Sequence, residues 1–223
     1  MIRAVFFDLD DTLCDTNASR HERARLVASR IVQDYRNFDV IELAGRILET
    51  DPVHGWPKGA TPLLQELDIA DTDAGREAYG LWFFDGCSHL LCPAPGITEA
   101  VRVLSQRYAL GVITNGNDAI QRRKFGYLGL EDYFSVFVSS ERAGCFKPEP
   151  AIFELALAEA GVAAGEAVFV GDTPSVDIAG ARAAGMRPVW LSQAGAFLGP
   201  GDPLPDATIR HFGELPGVLL NLD

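Results

Sequence analysis

The sequence predicts an α/β protein: a doubly wound parallel sheet interrupted once by a helical insertion. Three observations carry that prediction. Five short apolar runs, rich in Val, Ile and Phe and lacking strict alternation, fit strands buried on both faces of a sheet. Helix-like segments separate the later runs, which is the order expected of parallel strands joined by crossover helices. One long stretch between the first and second runs shows no comparable β pattern and reads as helical.

Taken in order, the first strand is expected over residues 4–7 and the others over 110–113, 136–138, 167–170 and 188–191. Helices are expected over 97–106, 119–128, 151–160 and 176–184. Gly161 and Gly185 follow two of them, where a helix end favours a left-handed residue. The insertion reads as helices over 18–35, 40–49, 62–67 and 75–84, divided by a Gly- and Pro-containing loop over 54–62. Cys92-Pro93-Ala94-Pro95-Gly96 marks the return to the α/β pattern. The expected organisation is therefore a Rossmann-like core of residues 1–14 and 92–223 carrying a helical cap of residues 15–91. Residues 199–205 read as a surface loop before a short C-terminal element.

A length of 223 residues suits one large domain bearing an insertion. Hydrophobic residues make up 48% and charged ones 22%, enough apolar content to exclude a disordered chain. Lys plus Arg is 19 and Asp plus Glu is 31, a net charge of −12. That balance disfavours nucleic-acid backbones and anionic membranes as partners. An anionic substrate then needs a local positive cluster or a metal. No stretch approaches the ~20 apolar residues that cross a bilayer. Asp8 also interrupts the first apolar run too early for a signal-peptide core. Cys14, Cys87, Cys92 and Cys145 form no C-x-x-C pair and read as buried free thiols of a reducing compartment. The expectation is a cytoplasmic monomer or homodimer that acts on a small molecule.

In open α/β sheets ligands bind beyond the carboxyl ends of the strands. The first run ends in Asp8-Leu9-Asp10-Asp11-Thr12, the second in Thr114-Asn115-Gly116, the third in Ser139-Ser140, and the fourth in Gly171-Asp172-Thr173-Pro174. In a parallel sheet these groups share one edge. Close carboxylates repel unless a cation or a proton lies between them. All-oxygen ligands suit Mg²⁺, so an ion flanked by Asp8 and Asp172 would also offset the repulsion of an incoming phosphate. Thr114 and a lysine would then hold the other phosphate oxygens. Singly, each motif has a plain structural explanation. D-x-D can be a capped turn, Gly-Asp-Thr-Pro a helix N-terminus, and Lys147-Pro148-Glu149-Pro150 a proline-started helix with a solvated lysine. Their joint occurrence at successive strand ends favours chemistry.

That ordered set resembles the haloacid dehalogenase superfamily of phosphohydrolases. Phe6-Phe7-Asp8-Leu9-Asp10-Asp11-Thr12-Leu13 is similar to its first motif and Val112-Ile113-Thr114-Asn115-Gly116 to its second. Lys147-Pro148-Glu149-Pro150 is similar to the third, and Val170-Gly171-Asp172 through Asp177 to the fourth. The insertion resembles the small helical cap of the superfamily's first class. Thr114-Asn115-Gly116 and the cap layout are similar to the N-acylneuraminate-9-phosphatase and nucleotidase branches. The resemblance implies a Mg²⁺-dependent phosphomonoesterase with Asp8 as nucleophile, forming an aspartyl-phosphate. It implies Asp10 as general acid and base, and Thr114 with the Asn115 backbone N–H as phosphate contacts. Lys147 would bridge phosphate and Asp8. Asp8, Asp172 and the main-chain carbonyl of Asp10 would ligate the metal, with Asp177 behind them. Asp10 disfavours C–halogen cleavage, because a leaving halide needs no proton. A phosphosugar mutase shares the whole motif set and stays open, as does an inactive binding protein on the same fold, which would be expected to have lost a motif.

Two features of the insertion bear on substrate choice. Arg20 and Arg23 belong to the densest basic patch and share a helix face, which reads either as a solvated surface or as a landing site for an anionic tail. Trp56 and Lys58 stand in the Gly/Pro loop, where Trp56 can face a cleft and Lys58 reads either as a solvated side chain or, with Arg20, Arg23 and Trp56, as a candidate substrate contact.

Overall fold

The computed structural model describes residues 1–34, 38–54, 63, 65, 88–193 and 196–222. The chain forms two compact units, Met1–Asp15 with Pro93–Asp223 and Thr16–Cys92. The first unit is a six-stranded sheet of order β3-β2-β1-β4-β5-β6 in which every pairing is parallel. Its strands are β1 (Ala4–Phe7), β2 (Ala109–Thr114), β3 (Val136–Ser139), β4 (Ala167–Gly171), β5 (Arg187–Leu191) and β6 (Ala207–Ile209). The expected parallel α/β architecture is thus present. The first unit's described α-helices, numbered after the two described in the second unit, are α3 (Ile97–Leu104), α4 (Asp118–Tyr127), α5 (Ser140–Ala143), α6 (Pro150–Ala160), α7 (Ala179–Ala183) and α8 (Leu215–Leu222).

The unbroken apolar runs follow from burial on both faces. All four residues of β1 are buried. Val5 and Phe7 join one apolar layer with Val112, Val168, Val170 and Val189. Ala4 and Phe6 join the opposite layer with Ile113, Val138, Phe153 and Phe169. Alternate residues of one strand thus feed two cores, as the period of a strand requires. Phe6 also explains the glycine inside β2: a Cβ at Gly111 would lie 2.5 Å from the Phe6 ring.

Several local expectations are corrected. A sixth strand, β6, adds to the five expected ones; its three residues are too few to carry a periodic signal. The expected helix 176–184 begins instead as a π-helical turn, Pro174–Ile178, before α7. Cys14 is buried and Cys145 partly so, but Cys92 is exposed; all three are free.

The second unit contains α1 (Thr16–Asp34) and α2 (Val40–His54). Ala24, Val27, Ala28 and Ile31 from α1 meet Leu43, Ala44 and Ile47 from α2 in a separate apolar cluster. The 3–4 spacing of these positions is why the two segments pack as amphipathic helices. The expected helices 62–67 and 75–84 lie outside the described residues, apart from Leu63 and Gln65, as does Cys87. No helix among the described residues is long and apolar enough to cross a membrane.

Candidate active site

The central strand β1 delivers Asp8 at its carboxyl end, where the Asp8 N–H still donates to the Val170 carbonyl at 2.9 Å. The next residues turn sharply, with Asp11 at φ 57°. Asp and Asn reach this left-handed region more readily than bulky residues do. The turn leaves Asp8 buried and Asp10 half-buried.

Lys147 reaches this point from the segment before α6. Its Nζ lies 2.5 Å from Asp8 Oδ1 and 2.7 Å from Asp177 Oδ1, and the residue is 5% exposed. Asn115, at the end of β2, fixes the lysine backbone from both sides. Lys147 N–H donates to Asn115 Oδ1 at 2.8 Å, and Asn115 Nδ2 donates to the Lys147 carbonyl at 3.1 Å. Burial works against the lysine charge, but Asp177 and Asp8 more than compensate and hold its pKa well above the ordinary value. Burial raises the Asp8 pKa; Lys147 opposes this, while the charges of Asp177 and Asp10 add to it.

Asp172 and Asp177 come from the end of β4 and the π-helical turn. The wide turn brings Asp177 back so that its Oδ2 accepts the Thr173 N–H at 3.0 Å. Such turns are enriched at functional sites. Gly171 is required here, because a Cβ would collide with the Asp177 carboxyl group. The Trp190 indole N–H holds the Asp172 carbonyl at 2.8 Å. Burial, together with the charges of Asp177 and Asp11, pushes the Asp172 pKa up to about 7.

Asp8, Asp172 and Asp177 each offer an oxygen within 4.8 Å of the others. When ionised, these three carboxylates face one bonded ammonium and retain two unbalanced negative charges. A hard divalent cation with oxygen preference fits that donor set. The carboxylate of Asp10 is not part of this cluster. It is held by two residues that sequence reasoning missed. Lys124 Nζ lies 2.8 and 3.1 Å from its two oxygens, and Gln121 Nε2 donates to Oδ2 at 2.8 Å. Gln121 also donates to Thr114 Oγ1 at 2.7 Å and to the Asn115 carbonyl at 3.0 Å. Gln121 and Lys124 lie in the expected helix 119–128, but a polar residue in mid-helix reads as surface. The available signal was the weak apolar stripe of that helix, which leaves polar side chains facing the sheet edge.

Two of the four candidate selectivity residues lie among the described residues, and each makes a hydrogen bond inside its own unit. Arg23 is buried and its Nη2 donates to the Thr16 carbonyl at 3.0 Å. Arg20 Nη2 donates to the Leu48 carbonyl at 2.8 Å. The solvated-face expectation therefore fails for this pair, because the Arg20 guanidinium ties α1 to α2 and the buried Arg23 bonds back to the first turn of α1. Trp56 and Lys58 lie outside the described residues.

A parallel α/β sheet whose central strand ends in an acidic turn beside a buried lysine places its polar groups where proteins of this class bind ligands, beyond the carboxyl ends of the strands. Residues 2–185 match the haloacid dehalogenase-like hydrolase family, and the chain belongs to it. A glyceraldehyde 3-phosphate phosphatase of Pyrococcus abyssi is 32% identical, over 86% of this chain and 82% of that protein. An N-acylneuraminate-9-phosphatase of Mus musculus is 29% identical, covering 100% of this chain and 95% of that protein. A pyrimidine 5'-nucleotidase of Escherichia coli is 35% identical, over 84% of this chain and 85% of that protein. Among solved structures, a phosphatase of the family from Thermococcus onnurineus shares 29% identity and a TM-score of 0.75, covering 98% of each chain. A 2-haloacid dehalogenase from Pseudomonas syringae shares 35% and 0.74, covering 100% of each chain. A putative beta-phosphoglucomutase from Thermotoga maritima shares 25% and 0.75, covering 99% of each chain.

Proposed function

We propose that this protein is a Mg²⁺-dependent hydrolase of small phosphate monoesters that works through an aspartyl-phosphate on Asp8. The observation that carries this reading is the separation of two carboxylates at one strand end. Asp8 is paired with Lys147, while Asp10, two residues on, is held by Lys124 and Gln121. Carboxylates placed in different settings suit different roles in one reaction. Asp8 attacks phosphorus, the ester P–O bond breaks, and the leaving oxygen takes the proton of Asp10. A water oxygen then bonds to phosphorus and gives its proton to the Asp10 carboxylate. The Asp8–phosphorus bond breaks and inorganic phosphate leaves, so the proton account closes over the cycle.

Asp8, Asp172 and the Asp10 carbonyl would hold Mg²⁺, which supplies charge neutralisation of the phosphate. Lys147 neutralises a second part of that charge and orients Asp8. Thr114 Oγ1 and the Asn115 N–H would bind phosphate oxygens, and Asp177 holds Lys147 in place. The held second carboxylate favours ester cleavage over release of a halide, which requires no proton. The phosphatase names of the sequence relatives support hydrolysis over mutase chemistry. Residues 16–92 form the proposed substrate-selecting cap, with Arg20, Arg23, Trp56 and Lys58 as candidate contacts.

The test is phosphate release by purified protein with Mg²⁺, started on the substrates the relatives' names suggest: glyceraldehyde 3-phosphate, N-acylneuraminate 9-phosphate and pyrimidine nucleoside monophosphates. Asp8→Asn and EDTA are each expected to abolish turnover. Turnover that survives both would overturn the reading. Clean isomerisation of a hexose phosphate with little phosphate release would replace it with a mutase.

A further inference from the structure

Gln121 and Lys124 stand three residues apart on α4, so one helix face delivers both side chains. They are 3% and 4% exposed, a setting in which an unpaired amide or ammonium is costly. Asp10 meets that need, since its two oxygens accept from both donors at 2.8–3.1 Å. The helix that carries them is itself anchored. Asn117 caps it by accepting the Ile120 N–H at 3.1 Å, and Ser139 at the end of β3 donates to Asp118 at 2.7 Å. At Gly116, with φ 138°, an added Cβ would lie 3.0 Å from the Gln121 side chain, so the tight turn after β2 leaves room for that residue.

We propose that Gln121 and Lys124 are positioning residues for Asp10. They fix its carboxylate at the angle from which it protonates the leaving oxygen and then receives the proton of the attacking water. This rests on the phosphomonoesterase reading above. The competing explanation is a buried staple that only ties the β1 turn to α4. The two differ in the quantity they move, because a staple acts on folding and a positioning residue acts through Asp10.

The experiment uses the full chain with Mg²⁺ and p-nitrophenyl phosphate, followed by rapid mixing. Nitrophenolate leaves with little help from an acid, so phosphorylation of Asp8 tolerates a misplaced Asp10, whereas attack by water does not. Lys124→Met is expected to lower the steady rate about 10- to 100-fold, after a burst approaching one nitrophenolate per enzyme. In an Asp10→Asn background the same substitution is expected to change the steady rate by less than about 2-fold. Gln121→Met, run alongside, carries the same burst expectation and decides the matter if Lys124→Met does not fold by circular dichroism. Burst and steady rate falling together, or an equal loss with and without Asp10, overturns the positioning role in favour of the staple. Turnover that persists in Asp8→Asn overturns the phosphatase reading and this inference with it. The two failures are distinguishable, because the first occurs with dependence on Asp8 intact.

Discussion

Asp172 is the carboxylate through which the proposed metal is most directly tested. Burial and the neighbouring charges of Asp177 and Asp11 disfavour its ionised form. Only its hydrogen bond from Thr173 and the charge of Lys147 oppose them. Mg²⁺ well above its dissociation constant is therefore expected to raise the melting temperature of the wild type by about 5–10 °C. In EDTA, Asp172→Asn is expected to melt no lower than the wild type, and adding Mg²⁺ should then leave it nearly unmoved. A Mg²⁺ rise retained in Asp172→Asn would place the ion elsewhere. At this scale the sequence was informative wherever a polar residue closes an apolar run. Asp8 and Asp172 stand directly after a strand and Thr114 ends one, so their meeting at one edge follows from parallel order alone. Lys147 and Asp177 were readable from their motifs, but not their shared hydrogen bonds. For Gln121 and Lys124 the weak apolar stripe of their helix was the only hint, and it does not name Asp10 as their partner, because that depends on where the turn after β1 runs.

Among the elements, α4 links the two halves of the site. Its first turn carries Asp118. Burial works to raise that pKa, but hydrogen bonds from Arg122 and Ser139 and the charges of Arg122 and Arg142 outweigh it and lower it. A lowered carboxylate pKa stabilises the fold above the unfolded value of about 3.9, and the benefit disappears as pH falls through the folded value. Asp118→Asn is therefore expected to lose about 1 kcal/mol near pH 7, with the difference from the wild type shrinking as pH falls below the ordinary carboxylate range. Denaturant melts across that range measure it; a constant difference would mean that hydrogen-bond shape, not charge, matters. The strands were legible as elements because burial on both faces suppresses alternation. The π-helical turn was not, because its residues satisfy an ordinary helix start equally well. Its width shows only in how Asp177 returns to the Thr173 N–H.

For the molecule as a whole, charge and connectivity bear on how the proposed chemistry and substrate selection are divided. The chain is strongly acidic at −12, yet the buried cations Lys147 and Lys124 both lie against carboxylates of the proposed catalytic turn. Arg20 and Arg23 hold carbonyls inside the other unit. If they also contact an anionic tail, Arg20→Ala and Arg23→Ala should lower kcat/KM for the preferred substrate roughly 10-fold or more beyond the effect on p-nitrophenyl phosphate. An equal change for both substrates would restrict them to holding α1.

The path of the chain between the units has a wider consequence. The Ala94 N–H donates to the Leu13 carbonyl at 2.8 Å, and Cys14 forms an antiparallel bridge with Pro93. The chain thus leaves the sheet unit and rejoins it at adjacent, mutually bonded positions. A segment spliced in at such a junction can grow, shrink or be exchanged for another without disturbing strand register. If residues 16–92 select the substrate as proposed, exchanging that stretch for the matching one of a relative is expected to change substrate preference while Asp8, Lys147 and Asp172 keep their places.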